Sequence, residues 1–130
     1  MLTRRLAQLA EQIGDVRLLA IIGLDGLAIE KIVFDNTLDS DALAAEVGSV
    51  ARDVIASDGD LAVGQLRQFS ISVGDLIVML AVLSREYSLL LVADAAIGHG
   101  RARFELRRVR LILEDLLAAG QPSFSTGEEE

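Results

Sequence analysis

Cysteine is absent from the 130-residue chain. That excludes a disulfide framework, a thiolate zinc site and a thiol nucleophile, and a reducing cytoplasm is the expected home. Histidine occurs once, at His99, so a metal site could draw on one imidazole at most. Positive charge is scarce: 12 basic against 20 acidic side chains leave a formal net charge of −8. Nucleic-acid binding, dominated by Lys and Arg on phosphates, is therefore not expected. Nor is general adsorption to anionic membranes. Long hydrophobic runs are missing too. The longest, Leu76 to Leu83, is eight residues, against roughly 20 for a spanning helix. Behind Arg4 and Arg5, the polar Gln8, Glu11 and Gln12 interrupt the apolar positions, unlike a signal peptide.

What is present is apolar side chain. At 52% hydrophobic, the chain can fill the core of one compact domain. That domain is expected over residues 1–118, with 119–130 a disordered acidic tail ending in Glu128-Glu129-Glu130. No internal repeat is visible.

Leu2, Leu6, Leu9 and Ile13 recur at helical spacing and predict a first amphipathic helix, ended by Gly14-Asp15. Val16 to Leu24 carries only Arg17 as a charge and reads as a strand buried on both faces. Asp25-Gly26 then signals a type I′ hairpin turn, with Leu27 to Phe34 returning. Asp39 is a candidate cap for a helix reaching about Ser57. After Asp58-Gly59-Asp60, the polar stretch Val63 to Ser72 reads as an edge strand. Leu76 to Ser84 is the most apolar strand and is expected at the centre of the sheet. Tyr87 to Val92 is the last strand. Asp94 to Gly100 reads as a loop, and a final helix runs from Arg101 to Ala118. The order α-β-β-α-β-β-β-α with short turns predicts an α+β fold: a five-stranded antiparallel sheet with helices on both faces.

The middle helix has two unlike sides. Leu43, Val47, Val50, Ala51, Val54 and Ile55 form the side expected to be buried. Opposite them lie Ala42, Ala45, Ser49 and Ala56, with Arg52 as the only charge among them. A solvated face normally carries long charged side chains. A stripe of small ones lets a second backbone approach, although alanine is also simply a good helix former.

Catalytic signatures are sparse. Gly98-His99-Gly100 stands between a strand and a helix, but Arg103 replaces the third glycine of a dinucleotide loop and no second strand follows. No Walker A sequence exists, and the single lysine, Lys31, lies in a strand. Asp58 and Asp60 flank Gly59 without the rest of a calcium loop. The run Arg101, Arg103, Arg107, Arg108, Arg110 could meet a phosphate or an acidic partner; a solvated helix face is the plainer reading. No enzymatic activity, cofactor or metal is expected.

Leu19-Ala20-Ile21-Ile22-Gly23-Leu24-Asp25-Gly26-Leu27-Ala28-Ile29 resembles the opening hairpin of Roadblock / dynein light-chain domains. So does Leu89-Leu90-Leu91-Val92-Ala93-Asp94, leading through Gly98 and Gly100 to Arg103-Phe104-Glu105-Leu106-Arg107-Arg108. The resemblance spans residues 2–118. It implies a homodimer whose sheets join edge to edge and whose middle helices pack across the two-fold. Ala42, Ala45, Ser49, Ala56, Gln65, Arg67 and Phe69 would then lie at the interface. Bacterial members resemble Mgl-type regulators of a Ras-like small GTPase, which raise GTP hydrolysis without a nucleotide site of their own. Glu46, Arg52 and Asp53, which flank or interrupt the small face, would meet the GTPase. The alternatives are a passive adaptor of the motor light-chain kind or a small-molecule sensor; the latter needs placed polar groups that the apolar core does not offer.

Overall fold

The computed structural model describes residues 2–23, 25–56, 60–61, 64–65, 67–84 and 86–119. Eight main elements bear the expected order: α1 (Leu2–Ile13), β1 (Val16–Gly23), β2 (Ala28–Val33), α2 (Ser40–Ala56), β5 (Gln68–Val73), β6 (Leu76–Val82), β7 (Tyr87–Asp94) and α3 (His99–Ala119). Between α2 and β5, the short segments β3 (Asp60–Leu61) and β4 (Gly64–Gln65) pair as a separate antiparallel ribbon. The main sheet is antiparallel throughout, with order β2-β1-β7-β6-β5.

β1, β6 and β7 bury alternate residues on opposite faces of the sheet. Leu19 and Ile21, Ile77 and Met79, and Leu89 and Leu91 pack under α1 and α3. Leu18 and Ala20, Val78 and Leu80, and Leu90 and Val92 form a second cluster with Ala44 and Val47 of α2. The helices therefore cover both faces, as their apolar stripes require. In α3 the buried stripe is Ala102, Leu106, Val109 and Leu113, while Phe104 and Leu111 stand exposed off it. Leu116 is exposed as well.

Four expectations need correction. The central strand is β7, not β6: the first hairpin docks on the last strand, with Leu19 opposite Leu91 and Ile21 opposite Leu89. Both strands are apolar on both faces, so hydrophobicity did not separate them; a pairing distant in sequence did. The edge strand of the main sheet is β5 from Gln68, while Gly64 and Gln65 pair with Leu61 and Asp60 instead; Val63 and Leu66 of the expected strand lie outside the described residues. The β1–β2 turn is not centred on Asp25-Gly26: Gly26 N–H donates to Gly23 O, and Gly23 N–H donates to Leu27 O. Gly26, just before Leu27, takes a positive φ (83), which glycine adopts without steric cost. Finally, Asp94 to Gly100 is not a plain loop. Asp94 ends β7 and accepts from Ala96 N–H (2.8 Å), capping a 3₁₀ turn over Ala95–Ile97 that leads directly into α3.

Candidate functional site: the outer side of α2 and the β5 edge

The Asp39 cap is as expected: its carboxylate accepts from Ala42 N–H at 3.1 Å. Lys31 of β2 then ties the helix start to the sheet through Ser40 and Asp41, both at 2.9 Å. From there α2 crosses the tip of the first hairpin. A Cβ on Gly48 would stand 2.8 Å from Gly26 Cα, and one on Gly26 would stand 3.3 Å from Ala45 Cα. Such an approach is open only to glycine.

This contact sets the roll of the helix. Ala44, Val47 and Gly48 are buried, and Leu43 is half-buried. Val50, expected inside, is 44% exposed, because the helix rolls toward Gly48 and carries Val50 off the contact line. It joins the exposed Ala42, Ala45, Glu46, Ser49, Arg52 and Asp53 on the outer side. The small-residue side found in the sequence is thus a surface, with one large apolar side chain added to it. The side chain of Ala56 lies outside the described residues, as does that of Gln65.

β5 is an edge of the sheet: β6 pairs with it on one side only. Phe69 and Ile71 face the same way, as the sequence alternation requires. Phe69 is half-buried against the α2-side cluster rather than fully available. Ile71 (38% exposed) and Val73 (53%) are more open, and Arg67 is exposed. The register puts Ile71 opposite Val78 and Val73 opposite Leu76, so both belong to the α2 side of the sheet. An unpaired strand edge and exposed apolar groups therefore lie on the same side as the outer surface of α2. Val50 and Val73 were missed in the sequence. Val50 is indistinguishable there from a core residue; Val73 simply extends the Phe69, Ile71 alternation by one step.

A charged cluster braces the other end of β1. The Arg17 guanidinium bonds Asp35 Oδ2 (2.6 Å) and Asp94 Oδ2 (2.8 Å), linking the end of β2 to the end of β7. Its pKa is raised, first by the bond to Asp94 and then by that to Asp35. The Asp35 carboxyl is held below its usual value by the Thr37 hydroxyl and backbone N–H, then by Arg17. Asp94 is lowered by Ala96 N–H, then by Arg17. The cluster ties the start of β1 to the chain leaving β2 and to the end of β7. Among the described residues no group of acidic or histidine side chains is arranged to hold a metal. No described helix is long and apolar enough to cross a membrane.

No protein-family model matches the sequence, and no curated protein matches it. The fold does match solved structures. MglB in a tetrameric arrangement aligns with a TM-score of 0.73 at 17% identity, over 87% of this chain and 88% of that one. A Roadblock/LC7 domain from Streptomyces avermitilis gives 0.59 at 18% identity, over 85% and 96%. Profilin IA from Acanthamoeba castellanii gives 0.62 at 17%, over 89% and 98%. The chain therefore has the Roadblock/LC7 fold in its Mgl-type form. At these identities the likeness establishes fold alone, and the profilin match shows that differently named proteins share it.

Proposed function

We propose that the protein is a non-enzymatic, homodimeric regulator of a Ras-like small GTPase, acting in the cytoplasm by raising the partner's rate of GTP hydrolysis. One observation carries the reading. In a fold shared with MglB, the outer side of α2 and the open edge of β5 lie on the same side of the sheet. Their exposed apolar residues are Val50, Ile71 and Val73. Pairing β5 with β5 of a second copy would continue the sheet and remove its exposed edge. The same step would bring two α2 helices together, with Ala42, Ala45 and Ser49 permitting close approach. The tetrameric arrangement described for MglB supports self-association of this fold. Gln65, Arg67, Phe69 and Ala56 complete the proposed interface.

The paired helices then form one platform on the two-fold axis. A single GTPase sitting across it excludes a second, so two regulator chains per GTPase are expected. Glu46, Arg52 and Asp53 are the charged groups of that platform. Stimulation works by favouring one arrangement of the GTPase's own switch loops, which requires tighter contact with that state than with the other.

The test is to measure GTP hydrolysis by a Ras-like GTPase from the same organism, with and without this protein, and to follow complex formation by sedimentation. Faster hydrolysis in a complex of two chains per GTPase is expected. Calorimetry of the isolated protein with GTP or GDP should show no binding. Complex formation without stimulation would assign a passive adaptor instead, and micromolar nucleotide binding would overturn the non-enzymatic reading.

A further inference from the structure

On the opposite side of the sheet, α3 and the start of β5 bound a groove of about 470 Å³, lined by Gln68, Gly100, Arg103, Phe104, Arg107 and Arg110. Gln68 pairs with Ala81, whose side chain belongs to the α1/α3 cluster, which fixes the groove on that side. We propose that this groove is a docking site for an acidic, partly apolar segment of a partner protein.

The arginines of α3 divide into two sets. Arg108 bonds the nearly buried Glu105 at 2.8 Å, Arg101 reaches the same carboxylate and the Ile13 carbonyl, and Arg110 pairs with Glu114 at 2.8 Å. Arg103 and Arg107 are exposed and form no ion pair among the described residues. Both line the groove. Two uncommitted guanidiniums side by side repel each other and favour an anion between or across them. One turn apart, they are separated by about 6 Å along the helix. Alternate residues of an extended strand repeat at roughly the same interval, about 6.6 Å. Two carboxylates at every second position of an extended segment can therefore meet both.

Phe104 supplies the apolar part. It is 63% exposed between these arginines, with Leu111 also exposed one further step along the same side. The chain as a whole carries a net charge of −8, so this is a local reversal of its field. A long polyanion would meet the acidic remainder of the surface, whereas a short acidic segment need touch only the groove. The concave floor between helix and strand likewise suits a peptide rather than a flat bilayer. This surface lies across the sheet from the proposed GTPase platform, and the inference does not depend on that reading.

The probe is a short fluorescein-labelled peptide of glutamate, serine and leucine, compared by anisotropy with its glutamine counterpart at low and high salt. The wild-type protein should bind the glutamate form, more weakly as salt rises. Arg103→Glu/Arg107→Glu should lower affinity by about tenfold or more, and Phe104→Ala should lower it without changing the salt dependence. Arg4→Glu/Arg5→Glu on α1, the same change in net charge, should leave binding unaltered. If the charge reversal does not fold, Arg103→Gln/Arg107→Gln serves in its place. Equal binding of the two peptides, an equal loss from the α1 pair, or tighter binding of an oligonucleotide or of phosphatidylserine vesicles would overturn the proposal.

Discussion

Gly48, in the middle of α2, meets Gly26, at the tip of the first hairpin, so closely that a Cβ on Gly48 would stand 2.8 Å from Gly26 Cα. The contact joins the helix that carries the proposed platform to the sheet beneath it. It also decides which side chains of α2 face outward.

Gly48→Ala should therefore destabilise the fold. In an ordinary helix interior, alanine is better than glycine by about 1 kcal/mol. Here the added methyl meets backbone, and a net loss of about 1–3 kcal/mol is expected in urea denaturation. Gly100→Ala is the control, since nothing lies within 4 Å of its would-be Cβ; it should be neutral or slightly stabilising. A Gly48→Ala protein as stable as wild type would show that the helix can shift freely on the hairpin.

The solution mass should be twice 13.9 kDa at micromolar concentration. The interface should bury roughly 1,600 Å² or more in total. Ala45→Glu and Val50→Glu each place a charge where two α2 helices would meet, and each should raise the dimer dissociation constant by about a hundredfold. Sedimentation equilibrium reads this directly. Wild-type behaviour from both variants would mean that the outer side of α2 is not the dimer contact.

Arg52 should bind rather than catalyse. Its Nη1 lies 3.4 Å from the position of a Cβ on Gly26 and 3.8 Å from one on Gly48, so the guanidinium is folded back over the hairpin tip. An arginine that entered a GTPase active site would be worth about 10³–10⁵ in rate. Arg52→Ala should instead weaken the complex by about two- to fivefold, with hydrolysis largely retained at saturating regulator. A thousand-fold loss with binding intact would make Arg52 catalytic in trans.

The Arg17 cluster should make stability sensitive to acid. Asp35 and Asp94 both titrate lower when folded than their ordinary value of 3.8. Carboxyls depressed in this way contribute stability that is fully present above the unfolded pKa. It is lost as pH falls through the lower folded values. Melting temperature should hold steady through weakly acidic solution and fall below about pH 4. Asp94→Asn should be less stable at neutral pH and show a shallower fall in acid. A slope equal to wild type would mean that Asp94 takes no part in the acid response.

The candidate site was only partly legible in the sequence. The small side of α2 could be read, because Ala42, Ala45 and Ser49 recur at helical spacing where charge would ordinarily stand. Val50 was misplaced, since a helical wheel records which residues are apolar and not how far the helix is rolled. The roll follows from Gly26 against Gly48, two glycines that the sequence shows only as a turn residue and a weak helix former. The groove on α3 was visible as a run of arginines. Their division into engaged and free depends on where Glu105 and Glu114 point.

The sequence by itself determined the element order, the antiparallel hairpins, the helix cap at Asp39 and the two-sided burial of β1. These are local consequences of side-chain period, turn chemistry and capping, and each needs only a few neighbouring residues. Tertiary structure alone decided that β7 occupies the centre, that β5 begins at Gln68 and that α2 turns Val50 outward. These outcomes depend on contacts between residues far apart in the chain, where several apolar surfaces could have paired and close packing selected one arrangement.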